Sequence, residues 1–69
     1  MDIKARLPGV IVNVAVQEGD AVSVRQILGK LEAMKMEQPI PSPAAGTVKS
    51  VLVAEGDKVK QGQVLFVVE

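Results

Sequence analysis

Two stretches of the chain, laid against each other, decide its fold: GVIVNVAVQEGDAVSVRQILGKLE, from Gly9 to Glu32, and GTVKSVLVAEGDKVKQGQVLFVVE, from Gly46 to Glu69. A shift of 37 positions superimposes them without a gap, and ten of the 24 pairs are identical, among them Gly9/Gly46, Val14/Val51, Gly19/Gly56, Asp20/Asp57 and Gln26/Gln63. Self-similarity at a fixed period marks one supersecondary unit used twice. The chain is expected to form one domain over residues 1–69, built from repeats at 9–32 and 46–69.

Within each unit the pattern is that of strands. In VNVAV and VKSVLV apolar residues alternate, which puts Val14 and Val16 in one copy, and Val51 and Val53 in the other, on the inward face. Ile11 and Val48 stand three residues upstream, out of that phase, and predict a β-bulge or corner in each copy. QEGDAV and AEGDKV then read as tight turns, because glycine suits positive φ and aspartate can bond the turn backbone. A calcium loop is the functional alternative, but it needs acidic ligands at alternating positions that neither copy has. QILGKLE and QVLFVVE supply further strands. Pro8, Pro39, Pro41 and Pro43 keep to the N-terminal edge and to the connector between copies, where no interior ladder bond is lost. No segment has helical spacing. Two such units related by an approximate twofold bury their aliphatic faces against each other, so the expected class is all-β, a flattened barrel or sandwich.

Composition agrees and narrows the function. A chain of 69 residues buries only about 60% of its unfolded surface, so its core must be economical. Thirteen valines and four isoleucines supply stiff side chains suited to pleated strands, and Phe66 is the one aromatic. Eight basic and eight acidic residues cancel, which leaves no net positive field for nucleic acid or an anionic membrane. With neither cysteine nor histidine, thiol redox chemistry, thiolate metal sites and histidine acid/base catalysis are excluded. The N-terminus MDIKARLPGV lacks the apolar core of a signal peptide, and no run approaches the roughly 20 apolar residues of a membrane span. A cytoplasmic location without direct membrane insertion is the expectation.

One segment is not duplicated. The first copy is followed by AMKM, in the stretch LEAMKMEQPIPSP from Leu31 to Pro43, and the second ends at Glu69. The strand running to Glu32 must return through QPIP, so Lys35 falls at a hairpin tip, with Met34 and Met36 beside it and Glu32 and Glu37 bracketing it. Most surface lysines are solvated charges, and Lys4, Lys49, Lys58 and Lys60 read that way. Methionines usually fill core gaps, but no alternation places both Met34 and Met36 inside. At average residue usage Ala-Met-Lys-Met is expected in only about one window in a million. A lysine whose stem leaves its own chain at such a tip has the geometry needed if an enzyme must grasp that amine.

EAMKM, a proline-containing return and a second GxVxxxxVxxGDxVxxGQxL unit together resemble the biotinyl domain of biotin carboxyl carrier proteins and biotin-dependent carboxylases, over Ala5 to Glu69. The resemblance implies two four-stranded antiparallel sheets with a pseudo-twofold repeat. It also implies biotin in amide linkage to Lys35, within a recognition hairpin of Glu32, Ala33, Met34, Met36 and Glu37. The related lipoyl domains usually carry Asp-Lys-Ala there, so the methionines favour biotin. The implied partners are a biotin protein ligase, a biotin carboxylase using ATP and bicarbonate, and a carboxyltransferase or decarboxylase. The ligase must deprotonate the amine, because no histidine or clustered carboxylate lies beside Lys35 in the sequence. The chain itself is then a carrier and not an enzyme. A lipoyl-type acyl carrier on Lys35 and an unmodified interaction module are the alternatives. An independent active site is the weakest reading, since no general base, nucleophile pair or metal cluster is visible.

Departures from the family pattern are local. ARLPG, Ala5 to Gly9, replaces the usual Ala-Pro-Met-Pro-Gly. Arg25 stands where the second copy has Gly62, and is strained if that place needs positive φ. Gly29 and Lys30 stand opposite Phe66 and Val67 in the repeat, so Lys30 is expected to snorkel from a partly buried strand. The gapless repeat has no room for the protruding thumb of some bacterial carriers, and in this the chain resembles the thumbless type.

Overall fold

The computed structural model describes residues 1–69 and contains eight strands and no helix. They are β1 (Asp2–Lys4), β2 (Gly9–Val14), β3 (Ala21–Val22), β4 (Ile27–Ala33), β5 (Met36–Pro41), β6 (Gly46–Val51), β7 (Lys58–Val59) and β8 (Val64–Val68). All pairings are antiparallel, in two four-stranded sheets ordered β1-β8-β6-β3 and β5-β4-β2-β7. Replacing each strand of the first order by its counterpart 37 residues away yields the second. The equivalence reaches upstream of Gly9 and Gly46, where Ile3/Ile40 is the one identical pair left. Ala5 and Gly62 donate their N–H groups to Gln63 and Ala5 carbonyls at 2.9 and 2.9 Å, while Ser42 and Arg25 donate to Gln26 and Ser42 at 2.8 and 2.7 Å. Backbone bonding needs no side-chain identity, so structure extends the repeat where the sequence keeps only that pair.

The two bulges fall where the phase shift places them. The β2–β4 register slips between Ile11 and Asn13, and the β6–β8 register between Val48 and Ser50. Each slip turns residues three apart to one face, so Ile11 and Val48 are buried while Val14 and Val51 pack partly buried against the same core. On their other edge these residues hold the opposite copy's turn. Ile11 donates to the Asp57 carbonyl at 2.8 Å and accepts from Gly56 at 2.6 Å, and Val48 does the same with Asp20 and Gly19 at 2.9 and 2.8 Å. The copies are thereby interlocked.

The turns close as their residues predict. Across Gln17–Asp20 and Ala54–Asp57 the last N–H donates to the first carbonyl at 3.1 Å, and the aspartate Oδ2 accepts from the first N–H at 2.9 Å. Gly19 and Gly56 both take φ near +93°. Ser23–Gln26 and Lys60–Gln63 repeat the device with a glutamine Oε1, at 2.9 and 3.1 Å. Their third residues, Arg25 and Gly62, sit at φ +70° and +86°, so Arg25 does occupy a conformation that suits glycine.

The core is a single cluster in which Phe66, Ile11, Leu28 and Leu65 are fully buried. Two local expectations are corrected. β2 ends at Val14, and Val16 reaches the core from the connecting segment. Lys30 does not snorkel: the alternation of β4 buries Leu31 and Ala33 and turns Lys30 and Glu32 outward, leaving the Lys30 side chain 52% exposed. Pro39 and Pro41 lie on β5, an edge strand, where a missing N–H can face the side without a neighbour.

Candidate functional site

The β4–β5 hairpin is rooted in the middle of a sheet. β4 is paired on both sides, by β2 and β5, so the hairpin stem has one partner more than a free ribbon would. Along the stem Ile27 faces Pro41, Gly29 faces Ile40, Lys30 faces Pro39, Leu31 faces Gln38, Glu32 faces Glu37 and Ala33 faces Met36. β2 crosses the end of this stem so closely that a Cβ on Gly9 would collide with the Glu32 carbonyl oxygen and crowd Leu31. Along the sequence Gly9 is marked only by its identity with Gly46. The steric reason for a glycine there is tertiary, and Gly46 meets Glu69 in the same way.

Two residues, Met34 and Lys35, make the connection, at φ +54° and +64°. Positive φ at both central positions is the type I′ geometry that matches the twist of a two-residue hairpin, usually built from Asn-Gly. Only three non-glycine residues in the chain have positive φ, and two of them are these. Each carries a penalty of order 1 kcal/mol or more, a cost that recurs at functional sites. The tight turn leaves no slack in which the lysine could fold back on the strands.

Side chains sort by strand alternation. Met34 is 86% exposed and Met36 63%, although methionine ordinarily belongs inside. Lys35 is exposed between them, and its Nζ takes part in no ion pair and no hydrogen bond. Glu32 and Glu37 lie directly opposite each other on the outer face of the stem, a like-charge pair that the sheet tolerates at some cost. Lys30 offsets part of it by approaching Glu37 Oε1 at 3.9 Å, an exposed pair of small energetic weight. Ala33 instead points inward and is buried. The structure therefore gathers Met34, Lys35 and Met36 at the tip, sets Glu32 and Glu37 along one flank, and leaves Ala33 to the interior. No group of three acidic residues could hold a metal ion. Such an arrangement leaves one lysine amine exposed at the tip, with no side chain of the protein paired to it.

A family model described as "Biotin-requiring enzyme" matches residues 1–68. Pyruvate carboxylase 1 of Caenorhabditis elegans is 43% identical over 67 residues, covering 97% of this chain and 6% of that protein. A Biotinylated protein TB7.3 homolog of Mycobacterium leprae (strain TN) is 36% identical over 67 residues, covering 97% of this chain and 94% of that protein. A dihydrolipoyllysine-residue acetyltransferase component of the pyruvate dehydrogenase complex from Azotobacter vinelandii is 43% identical over 61 residues, 88% of this chain and 10% of that protein. The chain thus spans a tenth or less of the length of the multidomain relatives, and nearly all of the mycobacterial one.

Proposed function

The chain belongs to the biotin-requiring enzyme family, as a non-catalytic biotinyl carrier domain, and from that premise we propose that Lys35 is the residue that carries biotin in amide linkage. The observation that carries the assignment is the free Lys35 amine at the tip of a left-handed two-residue turn, rooted in a central strand. Its surroundings fit an acyl group: no carboxylate holds the ammonium, and the chain reverses too tightly to cover it. In bound form biotin supplies a carrier for an activated carboxyl group. What the chain's own residues do is hold the amine away from the barrel and present Met34 and Met36 as apolar contacts to a ligase. Because no base of the chain reaches Lys35, a biotin protein ligase provides the deprotonation.

As partners we propose that ligase, a biotin carboxylase, and a carboxyltransferase or decarboxylase, on the same polypeptide or on separate ones. A tethered group works at high effective concentration at each site within its reach, and docking has to stay weak for the shuttle to leave. A lipoyl carrier is the second reading, favoured by the acetyltransferase relative and opposed by the two exposed methionines.

Expression with a biotin ligase and biotin tests the proposal. Intact mass is expected to show one added biotinyl group, avidin to capture the product, and Lys35→Ala to abolish both. Biotin found on another lysine, or modification by a lipoate ligase in place of a biotin ligase, overturns it.

A further inference from the structure

Away from the hairpin the barrel is open along one seam. β1 and β5 are edge strands of different sheets and no backbone hydrogen bond joins them. Between them lies a cleft of about 720 Å³, within the range of ligand sites. Its floor is apolar, formed by Ile3 and Ile40, one from each copy, with Leu31. Charge at this seam is one-sided: Lys4, Arg6 and Arg25 line it against a single carboxylate, Asp2, in a chain whose total charges balance. These are both of the chain's arginines, brought together from separate segments.

The protein spends none of these three cations on itself. Its two ion pairs are Lys30–Glu37 and Lys49–Glu69, and no side chain of Lys4, Arg6 or Arg25 donates a hydrogen bond. Arg25 also occupies its place at a cost, at φ +70° where the equivalent turn has Gly62. Glycine would relieve the backbone; arginine adds a cation to the residues lining the cleft, and a strained residue of this kind points to use.

We propose that the cleft between β1 and β5 is a docking site for an acidic, extended segment of a partner protein, held by Lys4, Arg6 and Arg25. Charge complementarity selects the sign, since arginine forks match carboxylates. The form of the ligand follows from the lining. Cations come from three places along the seam and alternate with apolar groups, Leu7, Val24 and the prolines of the β5 side, whereas a lone anion needs converging donors. An extended segment presents side chains to opposite faces at alternate positions, so acidic and apolar groups can meet both kinds of lining. β1 offers it one open edge for strand pairing, while Pro39 and Pro41 remove two donors from β5. The site is independent of Lys35 acylation and is tested in the unmodified chain.

The test is an NMR titration of the 69-residue chain with a capped peptide of alternating glutamate and valine, six residues long, about the span of Gln38–Pro43 at strand rise. Saturable shifts are expected over residues 2–7, 24–25 and 38–43, weakening as salt is raised. The R6Q/R25Q variant is expected to bind roughly tenfold or more weakly, the loss of about one charge-assisted contact or more. If that double variant fails to fold, R6Q and R25G singly carry the same test, the latter removing charge while easing the backbone. The proposal is overturned by an absence of saturable shifts at millimolar peptide or by equal binding of a lysine–valine peptide. It is equally overturned if inorganic phosphate gives the same shifts at the same affinity, which is a simple anion site, or if dilution alone does, which is self-association.

Discussion

In the first copy the turn Ser23–Gln26 closes with a glutamine oxygen on its leading N–H at 2.9 Å; in the second, Lys60–Gln63 closes the same way at 3.1 Å. The third residue is Arg25 in one and Gly62 in the other. One strand further on, Gly29 occupies the place that Phe66 holds in the second copy. Beyond that, β4 passes through Met34 and Lys35 into β5, whereas β8 pairs with β1, the first strand of the chain. Backbone hydrogen bonding is common to both halves and builds the barrel. The side chains and connections in which they differ set one amine at a tip and two arginines at a seam. Duplication makes the frame, and divergence makes the sites.

Substitutions separate the two copies. The largest effect is expected at Phe66, fully buried with no aromatic counterpart: Phe66→Ala should cost about 3–5 kcal/mol in urea or thermal unfolding, a large share of the stability of so small a domain. Gly29 cannot compensate, because a Cβ there would collide with the Asn13 carbonyl. A loss below about 1 kcal/mol would mean that the two halves share the core evenly after all.

Gly9→Ala and Gly46→Ala come next, each expected to destabilise by roughly 1–3 kcal/mol, since both place a methyl against a backbone carbonyl. They sharpen the contrast through a second readout. Only Gly9→Ala presses on Glu32 at the hairpin root, so only that variant should slow acylation by biotin ligase under conditions where both are folded. Equal slowing in the two would show that the stem transmits nothing particular to Lys35.

The smallest effect belongs to the turns. Arg25→Gly should stabilise by about 0.5–1 kcal/mol, relief of the left-handed strain less the extra chain entropy of glycine, and Gly62→Arg should cost about 1 kcal/mol. Opposite signs in thermal unfolding are the expected result; the same sign for both would show that the turns are not equivalent.

Much of this could be read from residues in a row. Alternation gave the strands, Ile11 and Val48 out of phase gave the bulges, the Gly-Asp pairs gave two turns, and AMKM between unlike halves gave the exposed hairpin. Other features depend on neighbours distant in sequence. β3 and β7 are two residues each, and exist because Gly46–Thr47 and Gly9–Val10 of the other copy pair with them. Lys30 and Val67 face outward in the same phase, but Val67 is partly covered whereas Lys30 lies exposed, a difference that only the surroundings of each sheet decide. Arg6 and Arg25 show no relation in the sequence, and share a cleft because two edge strands fail to meet.

Everything local in cause is legible along the chain: period-two burial, turn chemistry, the repeat, and a lysine where the chain must reverse. Proximity is settled only in the packed fold. The close pass of Gly9 over Glu32, the interlocking of each bulge with the opposite turn, and the cationic seam arise when two sheets pack. Periodicity specifies which way a side chain points, but its neighbours across the barrel are set by the packing of both copies together.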